Sequence, residues 1–254
     1  MLLIPILTTL LIADRLSWSS GLLILAFVLI FLSHQPAVSS LRRWKFRRKL
    51  DGPAFFWATL LLSSGILLSG YLFIRHQLWG ALVWGVVAGS AYLLHLRFTL
   101  NKEHLSIPGE ILGVFGLTAS APTLYLFQQG TIDAQGLVLW MVNFLYFSGS
   151  VFYLKLKLRI QPQHHEPNIK KKIRIGLPAL IYASLVLIYV TSITLLRGYS
   201  WFFLWAYVPF FIKVIVGVFT WQTKNTLNPR RFGFVELGHA LVFALLIIGG
   251  FWQT

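Results

Sequence analysis

Apolar runs recur along the whole chain, separated by short polar or basic stretches, at about residues 1–12, 18–33, 53–74, 79–96, 107–127, 134–153, 177–196, 200–220 and 233–252. Most approach the ~20 apolar residues that a helix needs to cross a bilayer. In lipid, a helix satisfies its own backbone hydrogen bonds. The pattern therefore predicts an all-α, polytopic integral membrane bundle of about nine transmembrane helices, forming one transmembrane domain over residues 1–254. The first run is shorter than the others. It resembles a signal-peptide core without a basic start, and is read as a first span that is short or truncated at its N-terminus.

The stretch around residues 147–175 orients the rest. An apolar run ends at Tyr153. Lys155, Lys157 and Arg159 follow, then Gln161-Pro-Gln-His-His-Glu-Pro167, then Lys170, Lys171, Lys172 and Arg174, and a new apolar run opens at Leu177. A basic hinge between two membrane-length runs fixes the side on which each ends. Basic loops are expected at 34–52, 97–107, 154–175 and 221–233. His34-Gln-Pro36 is expected to open the first of them, and Asp51-Gly-Pro53 to cap the next helix. With nine spans and a cytoplasmic N-terminus, 18 Lys and Arg residues fall on the cytoplasmic side. Only Arg15, Arg75 and Arg197 fall on the other, and Lys213 lies inside a span. That asymmetry places the protein in the cell membrane as a multi-pass chain with its basic loops cytoplasmic.

Composition agrees. The chain has 254 residues, 57% of them hydrophobic and 11% charged, with mean hydropathy +0.72. Soluble domains carry roughly 25% charged residues, so a water-facing surface of this size is out of reach. The net charge of +15 is accounted for by inside-positive loops, and nucleic acid is not an expected partner. The lipid bilayer is. With no cysteine, disulfides, thiol catalysis and thiolate-bound metals are excluded. Glycines recur on the spans, and Gly85-x-x-x-Gly89 and Gly109-x-x-x-Gly113 have the spacing that lets membrane helices approach closely. Pro122 and Pro209 lie inside spans, where each frees a carbonyl and can kink the helix.

Ionisable groups inside spans cost roughly 2.5–3.5 kcal/mol on insertion scales, so they lead the list of candidate functional residues. Lys213 lies about mid-span among Trp, Phe, Val and Ile. Glu236 and His239 share a helical face at i, i+3 spacing, and Glu236 is the expected ion-pair partner of Lys213. Glu103 and Glu110 are seven apart, which on one helix is the same face. Asn143 sits within the sixth span, and Tyr153 and Arg159 flank the hinge. A di-metal reading of Glu236-x-x-His239 lacks the second such pair it requires. His164-His165-Glu166 is a poor metal site because adjacent side chains diverge. No metal or cofactor is assigned.

Lys102-Glu103, Gly109-Glu110, Ala119-Ser-Ala-Pro122, the end of span six at Tyr153 to Arg159, and Arg231-x-Gly233-x-x-Glu236 together resemble the YwiC-like membrane proteins. The helical layout of that family is similar to the UbiA superfamily of intramembrane prenyltransferases. The resemblance implies a UbiA-like bundle whose larger loops follow spans two and six. Its members often begin with a Lys-Glu-His-Gly-Ala-Trp stretch before the first span; here the chain starts at Met1-Leu-Leu-Ile-Pro5, which looks like what would follow. UbiA enzymes carry Asp-rich motifs in the two larger loops, where Mg²⁺ holds a prenyl diphosphate. This chain has only Asp51 and Glu166 there, among many Lys and Arg, so Mg-dependent prenyl transfer by that route is not expected.

The leading expectation is a cavity that binds an amphipathic ligand, with Lys213 as its cation and Glu236, His239, Glu110, Asn143, Tyr153, Arg159 and Glu103 as polar neighbours. An isoprenoid, a quinone or a haem-like molecule would each suit it, and the sequence does not choose among them or between an enzyme and a binder. A proton-coupled transporter using Glu236, His239 and Glu110 is the main alternative. A membrane assembly subunit without a ligand is the third.

Overall fold

In the computed structural model, residues 2–13, 17–48, 50–101, 106–160, 168–220 and 229–253 are described, with backbone only at helical positions 47, 158–160 and 229–231. Every regular element among them is an α-helix: α1 (Leu3–Ala13), α2 (Trp18–Arg47), α3 (Gly52–Arg75), α4 (Trp79–Leu100), α5 (Ile107–Thr118), α6 (Ser120–Gln129), α7 (Ala134–Ile160), α8 (Ile169–Arg197), α9 (Phe202–Phe219) and α10 (Pro229–Trp252). Taking α5 and α6 as one span, eight helices are long and apolar enough to cross a membrane, and α1 is a shorter apolar helix of 11 residues. The protein is a polytopic helical membrane bundle, with its apolar segments in the order that the sequence predicts. Outward-facing side chains agree: Leu67, Val86, Leu185 and Leu245 are 60–72% exposed, which suits lipid rather than water.

The basic stretches differ from expectation. They are largely helix, not loop. The α2 helix runs on through His34 and Pro36 to Arg47. The α7 helix continues past Tyr153 to Ile160, and α8 begins at Ile169, eight residues before Leu177. Hydropathy marks where the hydrocarbon ends, not where the helix ends. Lys and Arg are good helix formers, and 30 residues of α2 span about 45 Å against a hydrocarbon core of about 30 Å. Pro36 lies inside α2 without ending it, as proline can in membrane helices.

Two other signals resolve in physical detail. Pro122 lacks an N–H and its ring crowds the carbonyl of Thr118, and the fifth span is broken there into α5 and α6 about Ala119. Ser120 and Thr123 hydroxyls bond to the Leu117 and Ala119 carbonyls beside the break. Pro209, by contrast, leaves α9 unbroken. Asp51 holds the N-cap position of α3, but its carboxylate makes no cap and instead pairs with Arg43 at 2.9 Å.

The chain packs as two compact units, Met1–Met141 and Val142–Thr254. In the first, Leu2, just before α1, and Ile6 of α1 join Leu23, Leu72, Phe73, Ala81, Leu124 and Leu126 in one buried cluster. Gln129 ties α6 to α1 through the Ala13 carbonyl at 3.0 Å. The most extensive pairing is α2 with α3, closed at Gly65, where an added Cβ would lie 2.6 Å from Ile30 and 2.9 Å from the Ala26 carbonyl. Gly85 and Gly89 face open space instead, so their spacing marks no packing contact among the described residues. In the second unit α9 packs against both α8 and α10, around the stacked rings of Tyr146 and Phe243, 3.9 Å apart.

Because backbone atoms lie within the Gly65 contact, Gly65→Val is expected to destabilise the first unit by about 1–3 kcal/mol. Gly85→Val, facing open space, is expected to change little. Thermal unfolding of both variants in the same detergent checks this, and equal losses would refute it.

Candidate functional site

The inner face of α9 is made by Phe203, Ala206, Tyr207, Phe210, Lys213, Val214, Gly217 and Val218, all buried. This is helical periodicity, and Lys213 occupies one of its inward positions. Two neighbours give it a partner. Glu236 comes from the second turn of α10, and Ser150 comes from α7. The Lys213 ammonium donates to both Glu236 oxygens, at 2.8 Å (Oε1) and 2.7 Å (Oε2), and reaches Ser150 Oγ at 3.4 Å. Ser150 in turn donates to Glu236 Oε2 at 3.0 Å. The lysine side chain is 7% exposed and the glutamate 19%.

Aromatic rings wall the pair. The ammonium lies 5.0 Å from the Tyr153 ring and 5.9 Å from that of Phe210, both within cation–π range. Tyr153 stacks on Phe232 at 6.0 Å. It is admitted by Gly217, where an added Cβ would fall 2.8 Å from the ring, as Phe210 is admitted by Gly149. Tyr146 and Tyr153 both lie within the electrostatic reach of Glu236. In such surroundings the two charges are worth keeping only together, because removing water from each costs several kcal/mol and their mutual attraction must offset it.

The ends of the four helices lie close above. Lys213 is six residues from the end of α9, and Glu236 seven from the start of α10, about 9–10 Å of helix in each case. Lys172, in the first turn of α8, donates to the Phe219 carbonyl at the end of α9 at 3.2 Å. Lys155, Lys157, Lys170, Lys171 and Arg174 stand at the same end of these helices.

The other sequence candidates divide. His239 follows Glu236 by one turn, and its Nδ1 is buried without a hydrogen-bond partner. Asn143 is fully buried on α7, seven residues and about 10 Å from Ser150. Arg159 is on α7, described by its backbone alone. Glu110 belongs to the first unit, half-buried in the opening turn of α5, after the Ser106 cap. Glu103, and with it the expected common face with Glu110, lies outside the described residues, as do His164, His165 and Glu166.

Two features escaped the sequence. Ser150 is one, a small residue in a Ser-Gly-Ser run that reads as packing. The other is in the first unit. His34 on α2 and His95 on α4 bring their rings to 5.1 Å, with the edge of Tyr92 against His34. His95 Nδ1 donates to the Gly109 carbonyl at 2.7 Å, and His34 Nε2 is buried without a partner. Separation along the chain hides such pairs. Among the described residues, no group of three or more His, Asp or Glu is placed to hold a metal ion.

A family model described as YwiC-like protein matches residues 1–125. The match contains Lys102-Glu103, Gly109-Glu110 and Ala119–Pro122, and ends before Lys213, Glu236 and Ser150. No curated protein and no solved structure matches the chain.

Replacing Lys213 alone by Met strands the Glu236 carboxylate. It is expected to cost about 3–5 kcal/mol, whereas Lys213→Met with Glu236→Leu recovers most of that loss. Unfolding of the single and double variants in detergent measures the coupling. A double variant no better than the sum of the singles would show that the pair is not a coupled unit.

Proposed function

We propose that this chain, a membrane protein of the YwiC-like family, binds an amphipathic, lipid-like molecule in its second unit, with an acidic head at Lys213. The observation that carries the reading is the Lys213–Glu236–Ser150 network, buried among aromatic rings about two turns beneath a basic helical rim. A lysine is retained at this depth only where a counter-charge meets it. Glu236 is that counter-charge in the free protein. A carboxylate or phosphate head drawn in by the rim joins it at the ammonium, the added charge met by the rim cations, and its apolar part lies against Tyr153, Phe210 and their neighbours. The rim faces the cytoplasm, following the excess of Lys and Arg at those helix ends. An isoprenoid or another long-chain molecule fits this description. His239 and Asn143 are the polar groups of this unit that would complete the pocket.

A second reading draws on the unpartnered Nδ1 of His239. It lies one turn from Glu236, and a pair of ionisable groups within a span is what a proton-coupled carrier requires.

Lipophilic molecules extracted from the purified protein and identified by mass spectrometry separate the two. On the ligand reading, wild type retains an acidic amphiphile at near-equal stoichiometry. Lys213→Ala loses it at least about tenfold while still eluting as a folded protein, by the size of one lost charge-assisted contact. No retained molecule in wild type, or equal retention in Lys213→Ala, overturns the ligand reading. Loss of proton-driven flux in Glu236→Gln with retention unchanged would favour the carrier.

A further inference from the structure

A second feature of the same unit lies on its outer face, away from the Lys213 network. Leu177, Pro178, Ile181, Tyr182 and Leu185 of α8 and Phe152 of α7 line an open apolar groove of about 330 Å³. Its floor is rigid. Phe152 and Tyr182 stack at 4.3 Å, and the Tyr182 hydroxyl donates to the Leu145 carbonyl at 2.7 Å. Its outer ridge is Leu177, Ile181 and Leu185, exposed at 47%, 52% and 60%. Spaced by four, they follow one helical row. Pro178 adds a compact ring where a longer side chain would fill the space. From Leu177 to Leu185 the groove runs about 12 Å along α8.

Toward the N-terminus of α8 the same face carries Arg174, three residues before Leu177, and Lys170 one turn further. Both are exposed. Neither makes an ion pair with a described residue. The α8 helix has 29 residues, about 43 Å, against about 30 Å of hydrocarbon. Its apolar stretch starts at Leu177. The groove therefore lies in the acyl layer and the two cations at the depth of the headgroups.

We infer that this stripe is a binding site for an anionic phospholipid of the surrounding bilayer, with one acyl chain in the groove and its phosphate between Arg174 and Lys170. Charge and apolar surface follow each other along one helix face at the spacing of a lipid's head and chain. A zwitterionic lipid fills the groove equally well but presents the two cations with no net charge. The selectivity comes from the cations and the hold on the chain from the groove. Lys170 and Arg174 also stand in the basic rim, but none of Lys213, Glu236 and Ser150 takes part and Ile181 lines only the groove, so Ile181→Trp tests this site apart from the pocket proposed above.

Native mass spectrometry of the full protein in neutral detergent tests the inference, with phosphatidylglycerol or phosphatidylcholine of the same acyl chains added. Wild type is expected to hold the anionic lipid with at least about tenfold preference, as two basic groups near the headgroup plane provide. Lys170→Gln with Arg174→Gln is expected to bring that preference down to near unity. Ile181→Trp, which fills the groove, is expected to lower retention of both lipids. Arg197→Gln, at the far end of α8, should leave the preference intact. All four positions are on the surface, and size-exclusion profiles confirm that the variants fold. No preference in wild type, or a preference that survives the double substitution, overturns the assignment. So does unchanged occupancy in Ile181→Trp.

Discussion

One ammonium and one carboxylate govern the second unit. At the depth of Lys213 no water is at hand to share the charge, and the helices must supply what bulk solvent would. They do so with both oxygens of Glu236, the hydroxyl of Ser150 and the faces of Tyr153 and Phe210. Each of these requires something nearby to give way. Gly217 makes room for Tyr153 and Gly149 for Phe210. Three helices, α7, α9 and α10, are thus held in register by a contact that a purely apolar interface would not specify. Lipid gives helices little hydrophobic reason to prefer one partner over another, so a buried polar contact is an effective way to specify the pairing.

The first unit meets the same problem differently, and an ion pair there, Arg43 with Asp51, is at the exposed end of α2. Its contacts are close apolar packing at Gly65, a short buried α1, and polar bonds that end on backbone carbonyls. His95 meets Gly109, Gln129 meets Ala13, and Arg42 meets Thr99 at 3.3 Å. Such bonds satisfy groups that bending or ending a helix would otherwise leave exposed. The family match is confined to this part of the chain, whereas the most strongly desolvated charges lie in the other.

Much of this was legible from residues alone, for identifiable reasons. The spans follow from hydropathy, and Lys213 could be placed inward because Phe203, Tyr207, Phe210 and Gly217 recur at helical spacing around it. Glu236 could be named as its partner because few other carboxylates lie within spans. What escaped depended on distance in space rather than along the chain. Ser150 is 63 residues from Lys213, and His34 and His95 are on α2 and α4, with the whole of α3 between them in the chain. The helix ends were misjudged because an apolar run stops at the hydrocarbon boundary, while the helix continues as long as its residues favour it. Asp51 kept its predicted place, but its side chain found Arg43, a stronger partner than a backbone amide.

That continuation has a consequence for the membrane itself. The basic residues at the ends of α2, α7 and α8 ride on rods that stand well clear of the acyl layer, and some are pinned: Lys45 reaches Asn101 at 2.7 Å and Lys172 the end of α9. Flexible tails would settle onto whatever surface was offered, but cations carried on a stiff helix keep their height. The adjustment then falls to the lipids, which must thicken, tilt or exchange around the protein to meet it.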